Sequence, residues 1–330
     1  MTPPRIGRLF GHAPQARALL AAAASGRMHH GWIFAGATGI GKALFARALA
    51  LRLLAQAAGP PPLGEGLEVE ADHPIRKIFE ADAHPDYAEL HCLEKDSGAA
   101  RNITVDQVRG LHRLIQSAPS LSGRRIVVID SVDDLERGAA NALLKSLEEP
   151  PPDMLFFLVS HAPGRLLPTI RSRCRTLRFD ALDDADMRAV LAAQDRDFAA
   201  DEIDALMRAG AGSPGRALRF AGLAMDDIDK MMQSIVADGD PSNRQRLMLV
   251  KMLSGKPARA RYEAFLERAP AFIAQIARER HGPALGAALD HWEAARQLAG
   301  GAVVLSLDPG AVVFELGAHI AALADARADA

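Results

Sequence analysis

The segment Gly36-Ala37-Thr38-Gly39-Ile40-Gly41-Lys42-Ala43 has the spacing G-x-x-x-x-G-K. Glycines so placed let backbone N–H groups converge on phosphate oxygens with no Cβ in the way, and the helix that follows adds its partial positive charge. Gly36, Gly39, Gly41 and Lys42 are therefore candidate nucleotide-binding residues, with Lys42 reaching for the β- and γ-phosphates. The eighth position departs from the pattern. A hydroxyl there normally holds Mg²⁺, and Ala43 has no oxygen to offer. The same residues also fit a second reading, a tight strand-to-helix turn that binds nothing.

Downstream, Ile126-Val127-Val128-Ile129-Asp130 is an apolar run closed by a carboxylate. Such a run suits a buried strand that carries Asp130 toward a nucleotide-bound metal; a lone Asp there also serves as a helix cap. An acidic residue commonly follows and polarises the attacking water, but here the next residue is Ser131. Asp133 and Asp134 come two and three residues later and are expected to point elsewhere. A loop without its metal-holding hydroxyl and a strand without its second carboxylate predict little or no hydrolysis by this chain alone.

Arginines offer a different chemistry. Arg165, Arg171, Arg173, Arg175 and Arg178 surround the tripeptide Ser172-Arg173-Cys174. One reading is a solvated basic face. The other is a guanidinium lent to a neighbour's γ-phosphate, where it neutralises the charge that builds during phosphoryl transfer. Spacing alone leaves both open. Arg216, in Gly212-Ser213-Pro214-Gly215-Arg216, either reaches a nucleotide from a helical lid or makes a surface ion pair.

These groups need a scaffold, and the hydrophobic pattern supplies one. Strands are predicted at residues 31–35, 87–92, 125–130, 155–160 and 175–179, and helices at 15–25, 42–58, 136–149 and, in short form, 166–173. Thr104-Val105-Asp106-Gln107 has capping-box spacing and starts a helix to about residue 117. Residues 59–66, with three consecutive prolines, read as a loop. Helices at 183–193, 201–209 and 214–223 follow, then longer helical patterns from Asp226 to about Ala326. The expectation is an α/β nucleotide domain with a parallel sheet over residues 1–180, a three-helix lid over 181–225 and an all-α domain over 226–330.

Composition narrows the class. The chain of 330 residues is 49% hydrophobic and 24% charged, which excludes a disordered or collagen-like polymer. Its 39 basic and 41 acidic residues leave a net charge of -2. That argues against tight DNA binding by the chain alone at physiological salt. Cys92 and Cys174 are the only cysteines, too few for a disulfide framework, and read as reduced thiols of a cytoplasmic protein. No apolar stretch reaches the length of a membrane span, so no membrane partner is expected. The short run at 18–24 reads as part of a folded helix, not a signal segment.

Taken together, the stretches GRMHHGWIFAGATGIGKA, AHPDYAEL, ITVDQVRGL, RIVVIDSVDDLERGAANALLKSLEEPPPDMLFFLVSH, LLPTIRSRC and GSPGRAL resemble the delta-prime subunits of the bacterial DNA polymerase III clamp loader. The resemblance covers about residues 8–223; beyond it only helical character is legible. It implies an AAA+ fold with a lid and a helical collar that joins a five-subunit ring. It implies the tau/gamma ATPase subunits and the delta subunit as partners and, through the assembled loader, the sliding clamp and primed DNA. It implies that Arg173 acts in trans on ATP held by a neighbouring gamma/tau subunit, in a subunit of low or no ATPase activity. The alternative is a competent AAA+ ATPase of the gamma/tau type. ATP or ADP with Mg²⁺ in the degenerate loop remains the cofactor expectation. Relatives commonly carry a four-cysteine zinc module in the part aligned with residues 55–95. Only Cys92 is present there, so no structural zinc is expected, and His73, His84 and His91 read as surface or turn residues.

Overall fold

A computed structural model describes residues 8–93, 102–223, 225–303 and 305–325; Ala326, the expected end of the last helix, lies outside them. The chain forms two compact units. The first comprises the described residues up to Asp197 together with Ala211–Gly215; the second comprises Phe198–Gly210 and the residues from Arg216 onward.

The first unit is built on five parallel strands, β1 (Gly31–Ala35), β2 (Tyr87–His91), β3 (Arg125–Asp130), β4 (Met154–Ser160) and β5 (Arg175–Arg178), in the order β2-β3-β4-β1-β5. The three central strands are apolar along their length because helices cover both sheet faces. Side chains alternate between those faces. Phe34, Ile126, Val128, Leu155 and Phe157 join one core with α1 (Ala13–Ala24), α2 (Lys42–Ala57) and α3 (Pro74–Glu80). Ile33, Val127, Ile129, Phe156 and Leu158 join the other with α4 (Val105–Gly110), α6 (Arg137–Glu148) and α7 (Pro168–Arg171).

Two local expectations change. The helix predicted from Thr104 begins with the expected capping box but breaks at Leu111, so that α5 (His112–Gln116) is separate. Gly110 is a poor helix residue, and the buried Arg125 gathers the carbonyls of Leu114, Ile115 and Ser117 at the end of α5. Residues 74–80, given no element by the sequence reading, form α3 with Pro74 in its first turn, where the missing N–H costs nothing.

His73 and His84 are turn residues, one of the two expectations for them, but buried ones, at 4% and 5% exposure; His91 is neither, since it closes β2 half-buried. Each of the two buried rings caps its own turn and ties it to a distant one. Nδ1 of His73 accepts from the Ile75 N–H while Nε2 donates to the Pro60 carbonyl. Nδ1 of His84 accepts from the Asp86 N–H while Nε2 meets Ser122 Oγ at 3.1 Å. Among the described residues, no group of three or more His, Cys, Asp or Glu side chains could hold a metal.

After α8 (Asp184–Ala192), the second unit takes in α9 (Ala200–Gly210), most of α10 (Pro214–Phe220), α11 (Met225–Asp238), α12 (Arg244–Leu253), α13 (Arg259–Ala277), α14 (Gly282–Ala302) and α15 (Pro309–Asp325). Helix α15 packs against α11, α12 and α14, and α13 against α14. A buried ion pair, Arg268 Nε to Asp229 Oδ1 at 2.9 Å, links α13 to α11. Among the described residues no helix is long and apolar enough to cross a membrane.

Candidate functional site

Parallel register brings the candidate groups to one end of the sheet. Ala35, the last residue of β1, lies opposite Ser160 of β4, and Asp130 of β3 lies opposite Val159. The loop at 36–41, Asp130 and the residue after β4, His161, therefore meet at the carboxyl edge of the strands, where α/β sheets hold ligands.

The loop is tied on all sides. A Cβ on Gly36 would stand 2.4 Å from the Phe179 carbonyl oxygen, so only glycine fits there. Ser213 Oγ donates to the Thr38 carbonyl at 2.8 Å, the Gly215 N–H to the Gly39 carbonyl at 2.8 Å, and His12 Nε2 to the Ile40 carbonyl at 2.8 Å. In a trans peptide the N–H points opposite its carbonyl, and no cis bond occurs in this loop. Holding those three carbonyls therefore turns the N–H groups of Gly39, Ile40 and Gly41 to the other side. Gly215 must itself be glycine, because its Cβ would lie 2.8 Å from Gly39 Cα. The Gly-Ser-Pro-Gly segment thus braces the loop in the first unit. Arg216, one residue on, belongs to the second unit and pairs with Glu267 of α13 at 3.0 Å.

Lys42 is 2% exposed and spends its three protons inside the protein. Nζ donates to the Gly36 and Ala37 carbonyls at 2.8 and 2.6 Å and to His161 Nδ1 at 2.9 Å. Burial pushes the amine down to about 8, against the pull of Asp130 and Asp133. Asp130 is shifted the other way, upward, by burial and by the neighbouring Glu89, opposed by Arg47, His161 and Lys42. Partial burial and the Lys42 charge keep His161 below the usual histidine range.

Asp133 does not point away as expected. The short turn Val132–Asp134 carries it back onto the end of β4, where its carboxylate accepts from Ser131 Oγ at 3.1 Å, Ser160 Oγ at 2.9 Å and the His161 N–H at 2.5 Å. It orients the end of β4. His161 and His12 escape sequence reading because each meets the loop or its lysine only through the tertiary fold; a polar pair closing an apolar strand, Ser160-His161, is the one local signal. Arg47 and Glu89 were missed too. Their buried pair, Nη2 to Oε1 at 2.5 Å, sits beside Asp130, with Tyr87 Oη donating to Glu89 at 2.9 Å.

The arginine segment has a different character. Arg165, Arg171, Arg175 and Arg178 are exposed. Arg173 has a side chain 33% exposed, with Nη1 on the Thr169 carbonyl at 2.9 Å and Nη2 on Glu148 Oε1 at 2.7 Å. Its neighbour Cys174 turns inward beneath Gly31, where burial pushes the thiol up to about 12. One residue of the tripeptide anchors it while the next presents a guanidinium.

The sequence family described as "DNA polymerase III, delta subunit" matches residues 11–183. The "DNA polymerase III subunit delta'" of Pseudomonas aeruginosa is 37% identical over 193 residues, 58% of this chain and 56% of that protein, so the match spans little more than half of the relative's length. A "DNA polymerase III subunit gamma/tau" of Mycobacterium bovis is 34% identical over 194 residues, 58% of this chain and 32% of that protein. The crystal structure of a DNA polymerase III gamma subunit-related protein from Thermotoga maritima aligns with a TM-score of 0.44 at 16% identity, covering 93% of this chain and 98% of that one. The family match covers more than half of the chain, and the chain belongs to the delta-prime family of DNA polymerase III subunits.

Proposed function

We propose that the chain is a clamp-loader subunit that hydrolyses little or no ATP itself and lends Arg173 to a triphosphate held by an adjacent gamma/tau-type ATPase subunit. In this reading residues 181–225 act as a lid and 226–330 as the collar of the ring. The delta subunit completes the assembly, which engages the sliding clamp and primed DNA.

The observation that carries the reading is the contrast between two cations. Lys42 is buried and hydrogen-bonded to its own loop, whereas Arg173 stands at the surface within Ser172-Arg173-Cys174. The loop suits phosphate better than metal. Its braced glycines and Lys42 can hold an anion, so ATP or ADP is the ligand class that fits. Mg²⁺ would find Asp130 but no oxygen on Ala43, and Ser131 supplies no carboxylate to a water. A guanidinium supplied in trans is worth roughly 10³–10⁵ in rate at the site it serves, so the donor needs no turnover of its own.

Co-purification with gamma/tau and delta subunits, with stoichiometry from native mass, tests the assembly. Isolated chain with Mg²⁺ and ATP is expected to show turnover at background. Easily measured turnover by the isolated chain would favour the competent-ATPase reading, to which the intact G-x-x-x-x-G-K and the gamma/tau likeness lend support.

A further inference from the structure

The His161 ring occupies the third acceptor position of Lys42, the lysine of the 36–43 loop. Nδ1 lies 2.9 Å from Lys42 Nζ, so Nδ1 accepts and carries no proton while Lys42 is charged. Residue 161 is exposed, and its backbone N–H donates to Asp133 at 2.5 Å, which fixes the main chain at the end of β4. The charged groups that face it are Lys42 from α2, Asp130 from the end of β3, and Asp133 and Asp134 from the turn that follows. In the free protein the adjacent cation, added to partial burial, keeps the imidazole neutral at pH 7.

An arriving polyphosphate changes this balance. Lys42 must turn from His161 to the anion, which removes the donor that Nδ1 was accepting from. Several negative charges then join the lysine beside the ring and outweigh it, and an opposite charge within a few ångströms favours the protonated imidazole. We propose that the loop binds the polyphosphate end of a nucleotide by a proton-coupled exchange, in which His161 passes from acceptor for Lys42 to donor to the anion. The Lys42–His161 hydrogen bond breaks, one proton moves from solvent to Nδ1, and both Lys42 and His161 donate to phosphate oxygens. The inference rests on the reading of residues 36–43 as a phosphate loop and adds the residue that makes its affinity depend on pH.

The test uses the full chain with ¹³C-labelled histidine and inorganic tripolyphosphate, which carries the anion without the nucleoside; ADP is the second probe. The His161 resonance is the one absent from His161→Asn. Its pKa is expected to rise by one unit or more at saturation, which by linkage corresponds to about tenfold tighter binding at low pH than at high pH. Lys42→Met should lose both the binding and the rise. Saturable binding with the His161 pKa unmoved overturns the proton-coupled exchange and leaves the phosphate loop standing. No saturable binding of either probe overturns both, and a rise that persists in Lys42→Met places the anion elsewhere and overturns the proposal. If His161→Asn fails to fold, the wild-type spectrum still decides: no histidine rising by a unit at saturation has the same consequence.

Discussion

The loop at the end of β1 and the segment before β5 each present a cation, and the protein treats the two in opposite ways. Lys42 is buried, with three acceptors of the same chain around it. Arg173 is a third exposed, with one carboxylate partner that is itself 47% exposed. Burial makes Lys42 sensitive to its surroundings and expensive to disturb. Partial exposure makes Arg173 cheap to disturb. The lesson is that one domain can hold a lysine as a packed part of its loop and an arginine in a surface ion pair.

The largest expected effect lies in the buried region. Arg47→Met strands Glu89 without its partner, and breaking a buried pair from one side costs about 3–5 kcal/mol; urea denaturation of the two proteins measures it. A loss below ~1 kcal/mol would mean that the polar cluster beside Asp130 is far wetter than its 7–9% side-chain exposure indicates.

Lys42 gives a pH signature. Its folded pKa is about 8, against an ordinary 10.5. Between those values the unfolded chain keeps a proton that the folded chain has released, so this group's contribution to stability rises with pH across the window and is flat below it. The stability of wild type relative to Lys42→Met should therefore climb from pH 8 toward pH 10, at up to ~1.4 kcal/mol per unit. A flat difference would show that the amine is solvated.

Gly215→Ala drives a methyl group into the Gly39 backbone. Such overpacking costs about 1–3 kcal/mol, read as a lowered urea midpoint at unchanged slope. The smallest effect belongs to the exposed region: Glu148→Gln removes the Arg173 partner, and a surface pair of this kind contributes about 0.2–1 kcal/mol. A cost near that of Arg47→Met would erase the contrast between the two regions.

Much of this scaffold was legible before any coordinates. The continuous apolar runs that become β1 and β3 could be placed to the residue, because strands covered on both faces need no partner to be recognised. The phosphate-type loop was legible through its context, between such a strand and a long helix. What stayed hidden depends on contacts far apart in sequence. His161 meets Lys42 across 119 positions, and Ser213 reaches Thr38 across 175. Asp133 was misjudged because a strand-end rule takes the chain onward, whereas the tight turn after Ser131 folds it back. His73 and His84 were legible as turn residues but their burial was not; both ring nitrogens find protein partners across the fold, which removes the penalty of burying them.

The division of labour between the two cations is tested most directly by putting both variants into the same reconstituted loader. With assembly matched by native mass, clamp- and DNA-stimulated ATP turnover is measured for wild type, Arg173→Ala and Lys42→Ala. The account predicts that Arg173→Ala lowers turnover by at least about tenfold, as loss of a charge-stabilising guanidinium in trans should, while Lys42→Ala stays within about twofold of wild type. Collapse with Lys42→Ala and normal turnover with Arg173→Ala would contradict it.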